Sequence, residues 1–148
     1  MNPDFVEMLS ALSAAGVDYL IVGAHALAAH GLPRATGDLD IWVRPAADNA
    51  SRVMAALRAF GAPLFDLSEA DLARPDTVFQ IGVVPSRIDI LTGISGVPFD
   101  EAWPRRAVVT IEGQPLPFLS REDLERNKRA AGRPKDIADL DALRRCRS

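Results

Sequence analysis

Apolar positions recur along the chain with helical and strand periods in turn. Phe5, Leu9 and Leu12 follow at helical spacing behind Asn2-Pro3, a cap residue with proline at the first helical position, and Gly16 closes that segment. "VDYLIVG" is a β-rich run ending at Gly23, and "AHALAAHG" after it has the composition of a short helix. "RATGDLDIWV" (34–43) reads as a strand that Pro45 stops. A longer helix is expected from near Asp48 to Phe60, with Val53, Leu57 and Phe60 inward and Gly61 at its end. "DTVFQIGVVPSRIDILTG" predicts an antiparallel hairpin turning at Pro85-Ser86, and "AVVTIEG" and "QPLPFL" predict two more short strands. Ser120 and Asp123 resemble a capping box opening a helix through about Ala131. Gly132 breaks that helix, Pro134 starts another, and Ile137, Leu140 and Leu143 form its expected apolar stripe. The sum is an α/β chain with a mixed sheet, read as a single domain over residues 1–148, without internal repeats or a dividing linker.

Two strands break the apolar pattern in the same way. Side chains alternate between faces along a strand, so Leu39, Ile41 and Val43 share one face and Asp38, Asp40 and Trp42 the other. In "SRIDILTG", Ile88 and Ile90 share one face and Arg87, Asp89 and Leu91 the other. Like charges side by side cost energy unless water, a base or a cation lies between them. If the two strands are neighbours, Asp38, Asp40 and Asp89 converge on one face. Three carboxylates at one point favour a hard divalent cation with oxygen ligands, and magnesium fits best. Two such ions about 4 Å apart serve phosphoryl displacement by activating the attacking hydroxyl and steadying the leaving oxygen. Gly23, between a strand and a helix, supplies a candidate phosphate contact through free backbone N–H groups.

Composition narrows the classes. With 48% hydrophobic and 25% charged residues the chain is that of an ordinary globular protein, and a net charge of −3 argues against a generally basic nucleic-acid coat. A single cysteine, Cys146, permits no intramolecular disulfide and no thiolate zinc cluster. No apolar run has the length of a membrane span and the N-terminus lacks a signal-peptide layout, so no membrane partner and a cytoplasmic location are expected.

"VGAHALAAHGLPRATGDLDIWV" followed by "RIDIL" resembles the DNA polymerase β-like nucleotidyltransferase superfamily, whose pattern is a hydrophobic-Gly-small signature, a short helix, a D-x-D strand and a third aspartate on a later strand. Within it the chain is most similar to small bacterial minimal nucleotidyltransferases and abortive-infection type nucleotidyltransferase toxins. "RAT" before the aspartates and "NKRAAGRPKDIADLDAL" near the C-terminus fit that subgroup, and the likeness runs from about Val17 to Leu143. It implies a polymerase β-like fold with C-terminal helices. It further implies magnesium, two ions when substrate is bound, held by Asp38, Asp40 and Asp89. Asp89 would act as ligand and base, and Gly23 and Ala24 would contact phosphates. The signature usually has Gly or Ser where this chain has Ala24, which loses a hydroxyl but keeps the N–H.

The expected activity is transfer of a nucleoside monophosphate from a nucleoside triphosphate to an acceptor hydroxyl on tRNA, protein or a small molecule. The alternative is a nucleotide-binding or interaction protein, such as one partner of a toxin–antitoxin pair, with little transfer of its own. A structural calcium or magnesium site would explain the aspartates but not the Gly23 and lysine matches. Arg34 is open to two readings, a triphosphate contact or an ion pair with an aspartate. Thr36 reads as local turn chemistry. In the basic run Lys128, Arg129, Arg133 and Lys135, Lys128 and Lys135 are expected to touch phosphate or acceptor, with Asp136 and Asp139 as helix-start and surface acids. His25, His30 and Trp42 are expected to serve packing.

Overall fold

Residues 1–146 are described by a computed structural model. The elements run α1 (Pro3–Ala14), β1 (Tyr19–Val22), α2 (Gly23–Ala29), β2 (Asp38–Val43), α3 (Ala47–Phe60), α4 (Glu69–Leu72), β3 (Val78–Ile81) and β4 (Arg87–Leu91). After them come α5 (Phe99–Ala102), a 3-10 turn (Trp103–Arg105), β5 (Ala107–Ile111), β6 (Gln114–Phe118), α6 (Arg121–Ala131) and α7 (Pro134–Arg145). The strands form one mixed sheet in the order β3-β4-β2-β1-β6-β5. β3 and β4 pair antiparallel, as the hairpin reading requires, and β5 pairs antiparallel with β6. β1 runs antiparallel to β2, and β2 runs parallel to β4.

Side-chain alternation then gives the sheet two unlike faces. Tyr19, Ile21, Leu39, Ile41, Val43, Ile88 and Ile90 lie on one face and are buried. The Tyr19 hydroxyl meets Ser13 Oγ at 3.1 Å, which ties α1 to that side. The α1 residues Phe5, Met8, Leu9 and Leu12 and the α3 residues Val53, Met54 and Leu57 complete a continuous core. Asn49, fully buried in α3, accepts from the Asp18 amide and donates to the carbonyls of Asp18 and Arg44, holding the ends of β1 and β2 together.

The helix ends follow the sequence with two exceptions. Asn2 caps α1 by accepting from the Asp4 amide at 2.8 Å, and Gly132 ends α6 in the left-handed conformation (φ +67°). The Ser120–Asp123 box is only half formed. Ser120 accepts the Asp123 amide, but the Asp123 carboxylate turns away to Arg105 and Arg126. In α7 the expected stripe is shifted: Leu140 and Leu143 are buried, whereas Ile137 is 47% exposed. Asp136 and Asp139 take the inward positions, contrary to the reading of Asp139 as a surface acid. α4 and α5, four residues each, have no counterpart in the periodicity. Among the described residues no helix is long and apolar enough to cross a membrane.

Candidate active site

The register between β2 and β4 builds the site. Asp38 lies opposite Arg87 and Asp40 opposite Asp89, so all four share the second sheet face. On the other side of β2, Val22 lies opposite Asp40, and the chain turns at once into α2. Gly23 makes that turn with φ +68°, and a Cβ there would lie 2.2 Å from Asp40 Oδ2. The glycine is therefore required twice, by its backbone angle and by the carboxylate seated against it.

The carboxylates are poorly neutralised. Asp89 is buried and Asp38 and Asp40 are half-buried. Arg87 is the cation among them: its Nη2 lies 2.9 Å from Asp38 Oδ2 and 3.5 Å from Asp89 Oδ2. Asp38 Oδ1 and Asp89 Oδ1 are buried without a hydrogen-bond partner. Burial, the Asp89 charge, a hydrogen bond shared with Asp89 and the Asp38 charge push the Asp40 carboxyl up to about 6, against a smaller pull from Arg87. Buried carboxylate oxygens without donors form a hard, anionic donor set, and such a set fits magnesium. As the side chains stand, no group of three or more His, Cys, Asp or Glu among the described residues is drawn in closely enough to hold an ion. The Arg87 guanidinium reaches both Asp38 and Asp89.

Above these carboxylates lies an open cleft of about 500 Å³. Gly23, Ala24, Arg34, Asp38, Asp40, Lys128 and Lys135 all line it, so it gathers every sequence candidate except Asp89, which lies beside Asp40 beneath it. Its far wall is the α6–α7 junction. Lys128 is mostly buried there, 3.4 Å from Asp136 Oδ1 and 3.1 Å from Asp139 Oδ2. The lysine expected to touch phosphate or acceptor thus lines the cleft from within two ion pairs. Arg133 donates its backbone amide and Nε to Asp136 Oδ2, and hydrogen bonds from Arg133 hold the Asp136 carboxyl below the usual range. Of the two readings of Arg34, the ion pair is present, with Asp139 as partner. Lys135 is exposed on the rim and takes part in no ion pair among the described residues.

The remaining candidates are structural. Thr36 Oγ1 accepts the Asp38 amide at 3.1 Å, a local turn. His25 packs edge-on to Phe5, and burial lowers its pKa. His30 Nε2 lies 2.7 Å from the Leu119 carbonyl. Trp42 is buried edge-on to Phe99, one side-chain step beyond Asp40 on the same face, and lines a second, more apolar cavity of about 720 Å³ with Thr92, Val97 and Phe99. Asp38 and Asp40 line the smaller cleft and not this cavity. Arg87 is the residue that the sequence reading passed over, although its place two residues before Asp89 puts it on the aspartate face. Asn127, which donates to the Ser95 carbonyl and lines the cleft, left no such signal.

No family model and no curated protein matches the chain. Solved structures do. The lincosamide antibiotic adenylyltransferase LnuA, with lincomycin bound, is 15% identical over 97% of this chain and 96% of its own, with a TM-score of 0.61. ANT(2'')-Ia in complex with adenylyl-2''-tobramycin is 16% identical over 94% of this chain and 84% of its own, with a TM-score of 0.59. A candidate nucleotidyltransferase of Thermotoga maritima is 16% identical over 98% and 93%, with a TM-score of 0.57. The chain thus has the fold of these nucleotidyltransferases.

Proposed function

We propose that the chain is a metal-dependent nucleotidyltransferase that moves a nucleoside monophosphate from a triphosphate to an acceptor hydroxyl. The observation that carries this reading is Asp40 opposite Asp89, with Asp38 on the same face, beneath an open cleft in a nucleotidyltransferase fold. The acceptor oxygen bonds to the α-phosphorus, the bond to the bridging oxygen breaks and pyrophosphate leaves.

Asp38, Asp40 and Asp89 would hold magnesium, which when bound neutralises phosphate charge and lowers the pKa of the hydroxyl. The protein's part is positioning and electrostatics. Gly23 and Ala24 bring main chain to the cleft wall on the Asp40 side. Lys135 supplies a rim cation, while Lys128 and Arg34 set the shape of the opposite wall from within their ion pairs. The Asp89 carboxylate, opposite Asp40 on the neighbouring strand, would take the acceptor's proton.

A nucleotide-binding protein with little transfer, such as a toxin–antitoxin partner, is the second reading. Arg87 favours it, because its guanidinium stands where a cation is needed.

The test is transfer of label from α-labelled nucleoside triphosphates, with magnesium, to cell RNA, protein and small-molecule fractions. Asp40→Asn, which keeps shape and removes charge, is expected to lower transfer by on the order of a hundredfold or more. Equal labelling by wild type and Asp40→Asn removes the metal mechanism. Triphosphate binding without any transfer by the wild type selects the second reading.

A further inference from the structure

We propose that Arg87 is the site's resident counter-cation, a single-point contact that a divalent ion must displace before Asp38 and Asp89 can hold it. This rests on the metal-site reading above and adds a regulation to it.

The contact follows from the register. Parallel pairing sets Arg87 opposite Asp38, and strand alternation sets it on the same face as Asp89, two residues on. One nitrogen, Nη2, serves both acids, at 2.9 Å and 3.5 Å. Arg87 Nε is buried without a partner, and the second oxygens of both aspartates are likewise unpaired. A structural arginine in the same molecule is bonded quite differently. Arg105 meets Asp123 fork to fork, Nε to Oδ2 at 3.1 Å and Nη2 to Oδ1 at 2.8 Å, and leaves neither oxygen unpaired. Arg105 is built as a brace. Arg87 neutralises part of a threefold negative cluster while leaving its oxygens available, and its side chain, one-third exposed, has a way out to solvent.

Two consequences follow. The metal-free protein tolerates its clustered carboxylates because one unit of positive charge is always among them. A divalent ion alone binds weakly, because its gain is offset by separating Arg87 from two carboxylates.

The experiment titrates Mn2+ into wild type, Arg87→Gln and Arg87→Lys by calorimetry at pH 7.5, without nucleotide. At an effective dielectric constant near 20, removing a unit charge a few ångströms from the ion is expected to tighten Mn2+ binding by about tenfold or more in Arg87→Gln. Arg87→Lys, which keeps a charge on that face, is expected to stay near the wild type. A purely structural arginine predicts weaker binding in both variants. If the wild type binds Mn2+ and Arg87→Gln binds it no more tightly, the counter-cation role is overturned and the metal site stands. If neither takes up Mn2+, both fall together. Should Arg87→Gln fail to fold, a crystal structure of the wild type with Mn2+ decides. A guanidinium parted from Asp38 supports the proposal, and an ion held with that contact intact overturns it.

Discussion

Asp38, Asp40 and Asp89 at the base of the cleft and Asp123, Asp136 and Asp139 in α6 and α7 are one residue type, buried or half-buried in one molecule, held in opposite ways. The second group is saturated: Asp123 has Arg105 and Arg126, Asp136 has Arg133 and Lys128, and Asp139 has Arg34 and Lys128. The first group has Arg87 alone among the described residues. The carboxyls titrate accordingly, with Asp136 held below the usual range and Asp40 raised to about 6. Burial is therefore not what distinguishes a site from a brace. An uncompensated negative surplus is. In the helices each carboxylate has two cationic partners and the pairs join two elements, whereas under the cleft the negative surplus leaves room for a ligand's positive charge.

The sharpest test of that contrast is Lys128. If the α6–α7 cluster is a brace, Lys128→Ala leaves Asp136 and Asp139 short of a buried partner and is expected to destabilise the fold by about 2 kcal/mol, measured by urea unfolding. A change below about half a kcal/mol would mean that Arg133 and Arg34 suffice. Lys128 would then be free to serve a phosphate, as its place in the sequence suggests.

Asp40→Asn tests the other cluster, with the opposite sign. Asp40 is protonated more readily in the folded chain than in the unfolded one, whose carboxyl titrates near 3.8. The folded state therefore binds the extra proton between those values, and stability falls as pH rises from about 4 through about 6. Above that range the charged carboxylate is a standing cost that asparagine does not carry. Asp40→Asn is expected to raise the melting temperature of the metal-free protein at pH 7.5 and to leave it nearly unchanged at pH 4. For the same reason Mn2+ binding to the wild type is expected to strengthen as pH rises through about 6, because the ion must displace that proton. A melting temperature that falls at pH 7.5 would show that Asp40 is braced by partners after all.

The two clusters were not equally legible. The site follows from strand alternation, a local rule: once Asp38, Asp40 and Asp89 stand on the polar side of apolar strands, only the pairing of β2 with β4 is needed. The brace depends on partners distant in the chain, such as Arg34 for Asp139, and no local pattern marks them. Helical spacing in α7 was sound, but the residues on its inward face are Asp136, Asp139, Leu140 and Leu143, so a search for apolar side chains alone selects Ile137 by mistake. Strand alternation puts Arg87 on the aspartate face, but its effect depends on which acid lies opposite, and that is set by the pairing of β2 with β4. α4 and α5 are too short to show a period.

Lys135 gives the smallest effect and separates nucleotide binding from everything structural. It stands on the cleft rim, exposed and outside the ion-pair network that holds Lys128 and Arg34. Its removal should therefore cost the fold no more than about half a kcal/mol, as at other exposed positions. If the cleft takes a triphosphate, losing one cation at its edge lowers affinity several-fold at low salt, and the difference shrinks as added salt screens the remaining charges. Binding of a fluorescent nucleoside triphosphate to wild type and Lys135→Ala at two salt concentrations measures both. Unchanged affinity at low salt would confine the positive charge that matters to Arg87 and the metal, and would leave the α6–α7 wall with shape as its whole contribution.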